Sequence, residues 1–167
     1  MAAGTQLSVE EYLATTFRPD CDYVDGALAE RNVGEWDHAW IQGRLVTYFS
    51  NHSRESGLVG IPELRVQVRA TRYRIPDIVV TLGKPNEQVL THPPLLCIEI
   101  LSKDDTISKM NERIRDYLEF GVPAVWVVDP REMRIWIYRG SGLEEAAGGV
   151  VTVDGTNITI PFSAIFD

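Results

Sequence analysis

In Pro76-Asp77-Ile78-Val79-Val80 and in Leu95-Leu96-Cys97-Ile98-Glu99-Ile100-Leu101 a single acid interrupts an apolar, β-favouring run, and Glu99 follows Asp77 by 22 residues. An ionised carboxylate is costly to bury alone, so each acid needs a cation or a strong hydrogen-bond donor. Two such acids invite a divalent metal between them. The alternative for Glu99 is a salt bridge to Arg65 or Arg113, and for Asp77 a turn-capping role after Pro76.

Outward from these runs, Leu64, Val66 and Val68 alternate with Glu63, Arg65, Gln67 and Arg69, the period-2 pattern of a strand with one polar face. Thr71-Arg72-Tyr73-Arg74 links it to a strand over Ile75–Thr81. Thr106 to Phe120 carries Ile107, Met110, Ile114, Tyr117 and Leu118 at helical spacing and is closed by Gly121. Ala124–Val128 reads as a further buried strand, turned by Asp129-Pro130 toward Met133–Arg139. Upstream, Ser8-Val9-Glu10-Glu11 is a capping box for a short helix, and Asp25-Gly26 turns a hairpin between Cys21–Val24 and Ala27–Arg31. Glu35 to Ser56 predicts a long helix with a buried aromatic stripe. The glycine-rich tail reads as short hairpins ending near Ile160.

The 167 residues suffice for one domain, 1–167, with its own core. Two cysteines without ligand-like spacing read as reduced thiols in a cytoplasmic protein. Met1 to Leu7 has neither a basic nor an apolar leader region, and no stretch approaches the length of a membrane span. A formal net charge of −8 argues against a broadly basic surface for nucleic acid, although acids at a metal site count as negative until the ion arrives. Arg69, Arg72 and Arg74 around Tyr73 form the densest basic patch. They suit a phosphate backbone or an ordinary solvated turn equally.

The order helix, three strands, helix, strand, with Pro76-Asp77, Glu99-Ile100-Leu101-Ser102, Tyr117, Gly121-Val122-Pro123, Val125-Trp126-Val127-Val128-Asp129-Pro130 and Ile137-Tyr138, resembles the Uma2 family (DUF820) over nearly the whole chain. That family is assigned to the PD-(D/E)XK nuclease superfamily. The resemblance implies an α/β (α+β) fold with a restriction-endonuclease-like core: a mixed central sheet flanked by helices, with an N-terminal helix and hairpin and C-terminal hairpins. It implies a metal-dependent endonuclease hydrolysing DNA, with a homodimer as the family's expected assembly. Asp77, Glu99 and the backbone carbonyl of Ile100 would hold Mg²⁺ or Mn²⁺, hard ions that prefer oxygen.

One position departs from the superfamily pattern. The motif lysine two residues after the acid is Leu101 here, and the family's alternative lysine, four residues before Tyr117, is Arg113. Arginine stabilises charge but does not accept a proton at neutral pH. Lys109 and Lys103 are the substitutes at hand, Glu63 is the expected third acid, and His38, with Lys103, is an expected substrate contact. A catalytically inactive nuclease-fold domain, serving as a binding or regulatory module, is the rival reading.

Overall fold

The computed structural model describes residues 6–32 and 34–167. The leader-free reading of Met1 to Leu7 therefore concerns a stretch whose first five residues lie outside the described residues. Ser8 caps α1 (Val9–Ala14) as a capping box, with Glu11 N donating to Ser8 Oγ at 3.1 Å and Ser8 N to Glu11 Oε2 at 2.8 Å. β1 (Cys21–Val24) and β2 (Ala27–Glu30) form the hairpin on Asp25-Gly26, where both residues take the positive φ that a tight hairpin turn needs. α2 (Trp36–Ser56) ends on Gly57 in the left-handed conformation and feeds β3 (Leu58–Pro62).

β4 (Val66–Arg69) and β5 (Arg72–Arg74) follow, then β6 (Ile78–Leu82), β7 (Leu96–Ile100), α3 (Ile107–Phe120), β8 (Ala124–Asp129), β9 (Arg134–Arg139) and β10 (Gly142–Glu145). β11 (Val150–Thr152), β12 (Thr159–Pro161) and α4 (Ser163–Phe166) close the chain. The central six-stranded sheet has the order β10-β9-β8-β7-β6-β3, and a second sheet of four strands runs β2-β1-β5-β4. Within the central sheet only β7 and β8 pair in parallel, which is the connection that needs a helical crossover, here α3.

Period-2 alternation sorts the strands onto two cores. Ile78, Val80, Leu96, Ile98 and Ile100 pack with Ile41, Leu45 and Phe49 of α2, while Val79, Cys97, Val125 and Val127 pack with Met110, Ile114 and Tyr117 of α3. Glu99 shares the parity of Cys97 and so belongs to the α3 face. Gly60 is required where α2 crosses β3, because a Cβ there would stand 2.8 Å from the Phe49 ring.

Three expectations change. The first strand of the nuclease-like core is β3, whereas the alternating run at Val66–Arg69 belongs to the second sheet together with Arg72–Arg74. Leu58–Pro62, a run with no assignment in the sequence pattern, is the edge strand β3, where a proline without an N–H is tolerated, and Arg72–Arg74, expected as a link, is a strand. The aromatic stripe of α2 is not buried as a whole: Phe49 is, while Trp36 is 76% exposed and stacks on the exposed Trp40 with ring centroids 5.9 Å apart.

The basic patch is also consumed internally. Arg74 is buried between Asp22 and Asp116, with Nε 2.7 Å from Asp116 Oδ2 and Nη1 3.0 Å from Asp22 Oδ2, and Arg72 Nη1 reaches Asp116 at 2.9 Å. Arg69 pairs with Glu119, and Tyr73 is buried with Tyr12 and Tyr23. This cluster ties the second sheet to α3. Truncating Arg74 to Ala would leave buried Asp22 without its ion-pair partner and Asp116 with Arg72 as its near one, so urea denaturation of Arg74→Ala is expected to show a loss of about 3–5 kcal/mol; a loss below 1 kcal/mol would contradict the role assigned to the cluster.

Candidate active site

Asp77 lies one residue before β6 and Glu99 is the fourth residue of β7, on neighbouring antiparallel strands in register at Ile78 and Ile98. Both are buried, at 4% and 1% exposure. Asp77 Oδ1 accepts from Arg31 Nη2 at 2.6 Å, and Oδ2 accepts from the Ile100 N–H at 2.7 Å and faces His38 Nε2 at 3.2 Å. Its backbone is held as well: the carbonyl accepts from Gln42 Nε2 at 2.9 Å and from the Glu63 N–H at 3.2 Å. Glu99 Oε1 accepts from the Tyr117 hydroxyl at 2.6 Å, and Oε2 pairs with Arg113 Nη1 at 2.9 Å.

The two acids therefore ionise differently. Burial works against Asp77, but the hydrogen bond and charge of His38, the charge of Arg31 and the Ile100 N–H outweigh it and hold the carboxyl below its usual value. Glu99 goes the other way. Its complete burial, reinforced by the Asp77 charge, pushes it up to about 7 despite Arg113 and Tyr117. Desolvation pulls His38 down, yet its bond to Asp77 leaves its pKa raised overall, and the carboxylates around Arg113 raise that guanidinium further, so it stays a cation.

The cleft at the acids is small, about 20 Å³, and Arg31, His38, Asp77, Asp105 and Arg113 all face it. Of the sequence-predicted residues, Asp77, Ile100, His38 and Arg113 line it, while Glu99 does not but is tied to it through Arg113. The third acid beside Arg113 is Asp105, whose Oδ1 lies 3.2 Å from Arg113 Nη2 while Oδ2 accepts from the Ser102 N–H at 2.8 Å. Glu63 does not begin a strand; it sits exposed in the turn after β3 with φ +53°, and among the described residues its carboxylate reaches only Arg31, at 3.6 Å. Lys109 is exposed on an adjoining cleft with Asp22 and Glu112, which Arg31 and Arg113 also line, and Lys103 pairs with Glu35. Lys103 does share a shallow hollow with His38 and Arg131 on the same edge of the domain.

Arg31 is the functional candidate that the sequence pattern did not single out. It follows β2 without periodic context, and its partner Asp77 is 46 residues away. Tyr117 belonged to the family-like motif, but its bond to Glu99 depends on α3 lying over β7. The described residues form no ready cluster of three or more His, Cys, Asp or Glu side chains. Two carboxylates from adjacent strands still fit a hard ion that keeps much of its water, as Mg²⁺ does, more naturally than a metal needing an all-protein cage.

The profile of the Uma2 family, described as "Putative restriction endonuclease", matches residues 9–160. This chain belongs to the Uma2 family. A solved structure described as a "putative nuclease belonging to DUF820", the same family, from Anabaena variabilis superposes with a TM-score of 0.82 at 21% identity, covering 96% of this chain and 97% of that one. At that identity the likeness speaks for the fold, and the mixed sheet with its flanking helices is that of this nuclease-fold group. An uncharacterized protein of Synechocystis sp. is 34% identical over 104 residues, which take in 58% of this chain and 54% of that protein. The matched Uma2 region includes both buried acids and Arg113.

The raised pKa of Glu99 has a definite sign for stability. A carboxyl that holds its proton more tightly when folded favours the folded state most below its unfolded pKa near 4.5, and this contribution is lost as pH rises through about 7. The melting temperature of the wild-type protein minus that of Glu99→Gln is therefore expected to fall between pH 5 and pH 8 in metal-free buffer; a constant or rising difference would contradict it.

Proposed function

We propose that this Uma2 domain is a metal-dependent endonuclease hydrolysing DNA phosphodiester bonds. The observation that carries the reading is the pair of buried acids on adjacent strands, with the Arg113 guanidinium against one and Arg31 and His38 against the other. Asp77 and Glu99, with the Ile100 carbonyl, would hold Mg²⁺ or Mn²⁺. When bound, the ion supplies Lewis acidity toward the phosphate and lowers the pKa of a water.

The protein's own part is electrostatic and positional. Arg31 and Arg113 neutralise the acids in the free protein; once another cation does so, both become available to phosphate oxygens, where a guanidinium binds in a planar fork. Arg113 offsets charge developing on the phosphorus but takes no proton, which leaves proton removal to water or to the phosphate. His38 steadies Asp77 from α2, and Glu63 bears on the site only through Arg31. Lys103 and Arg131 lie along the same edge, in a hollow of mixed charge that Glu35 and Asp37 also line. Lys109, facing the neighbouring cleft, is the reserve cation. Two copies about a two-fold axis would supply the paired sites of a double-strand cut.

A specific observation favours the rival, a nuclease-fold binding module without catalysis: Leu101 replaces the expected lysine and both acids are already ion-paired. Plasmid nicking with Mn²⁺ and titration of Mn²⁺ by calorimetry separate the two. The nuclease reading expects metal binding and nicking, both lost in Asp77→Ala, and it fails if the wild-type protein neither binds Mn²⁺ nor nicks above that control. Arg113→Ala is expected to slow nicking by roughly 10²–10³-fold, with partial recovery in Arg113→Lys and little change in Lys109→Ala. Unchanged rates in both alanine variants would remove Arg113 and Lys109 from the mechanism.

A further inference from the structure

Beside the acid cleft lies a larger hollow of about 420 Å³, within the roughly 300–1,000 Å³ typical of small-molecule sites. Its origin is the sheet. α3 packs on β4 and β8, so the same face of β9 beyond β8 is only partly covered. Met110 and Asn111 of α3 form one wall, Val127 of β8 with Trp136 and Tyr138 of β9 the floor, and Leu101 stands where the superfamily pattern would put a lysine.

The hollow is continuous with the acid cleft. Ser102 and Asp105 line both, and Leu101, Ser102 and Arg131 line the hollow together with the shallow one at Lys103. A ligand group here would be adjacent to whatever occupies the acids. The lining also restricts its chemistry. An apolar floor with two aromatic rings, edged by Asp105 and Asp129, repels a phosphate. A purely aliphatic group would leave the polar rim unused. Asp129 Oδ1 is engaged by the Arg131 and Glu132 amides at 2.9 and 3.3 Å, so Asn111, the Arg131 guanidinium and the other Asp129 oxygen stand as edge-reading groups. Apolar faces with a few donors and acceptors at the rim match a planar heterocycle.

We propose that this hollow receives one unstacked nucleobase of the strand whose phosphate lies at Asp77 and Glu99, so that the preferred substrate is single-stranded or locally unpaired DNA. The inference rests on the nuclease reading for the position of that phosphate. In a duplex the same base is stacked and paired, and must be extruded before it can enter. Aromatic stacking tolerates any base, so strand state is selected more strongly than sequence. Leu101 is then a pocket wall, which gives the missing lysine position a function of its own.

The test reads binding apart from cleavage. Short single-stranded oligodeoxynucleotides carrying one 2-aminopurine, and their duplexes, are titrated into the full chain in Ca²⁺, following 2-aminopurine fluorescence. Tighter binding of the single strand, quenching at one position, and a loss of about tenfold or more in Trp136→Ala are expected. Asn111→Trp, at an exposed helix position where folding is not at risk, should block the hollow and reproduce that loss, while an oligonucleotide abasic at the quenched position should bind wild type and Asn111→Trp alike. Equal binding of single strand and duplex without quenching overturns the pocket even if plasmid nicking succeeds. Quenching without nicking keeps the pocket and defeats the nuclease reading. If sedimentation shows that Asn111→Trp instead dissociates a dimer, the hollow is a subunit contact and the proposal falls.

Discussion

The cost of removing carboxylates from water governs this structure. Asp77 and Glu99 lie inside the protein on adjacent strands, close enough for each charge to disfavour the other, and neither could remain ionised there without donors at hydrogen-bond distance. The donors come from three separate elements. Arg31 follows the β1–β2 hairpin, His38 lies in the first turns of α2, and Arg113 and Tyr117 descend from α3. Neutralising the acids therefore fixes how the hairpin and both helices sit against the central sheet.

A second buried charge cluster follows a different logic. Arg74 is enclosed by Asp22, Asp116 and Glu112, and the Asp22 carboxylate also accepts the Ile75 N–H at 3.0 Å. It lines a different cleft, one that Lys109, Arg31 and Arg113 also line, and acts as a fastening between the second sheet and α3. That fastening locates the elements that carry Arg31 and Arg113. At the acid cleft, by contrast, Asp77 faces Arg31 while Glu99 and Asp105 face Arg113, and the protons on His38 and Glu99 set the net charge of the group.

The identity of residue 101 links chemistry to recognition. With leucine there, no amine stands beside Glu99, and the positive charge comes from arginines that do not titrate near neutral pH. The same leucine completes an apolar wall next to the acids. One substitution relative to the superfamily pattern thus removes a candidate proton acceptor and builds a surface for a planar, apolar group.

The sequence by itself determined which runs are strands and helices around the acids, the helix between β7 and β8, and the resemblance to a nuclease-fold family. Those features are local: period-2 and helical spacing report burial directly. Only the tertiary structure decided which strand leads the core, because the run that forms β3 has no assignment in the sequence pattern while β4 shows a clean alternation in the other sheet. It alone brought Arg31 to Asp77 across 46 residues, set Asp105 rather than Glu63 beside Arg113, and diverted Arg72 and Arg74 from the surface to Asp116 and Asp22. The physical reason is that a charge finds its partner through sheet register and helix docking, and neither leaves a periodic mark in the residues concerned.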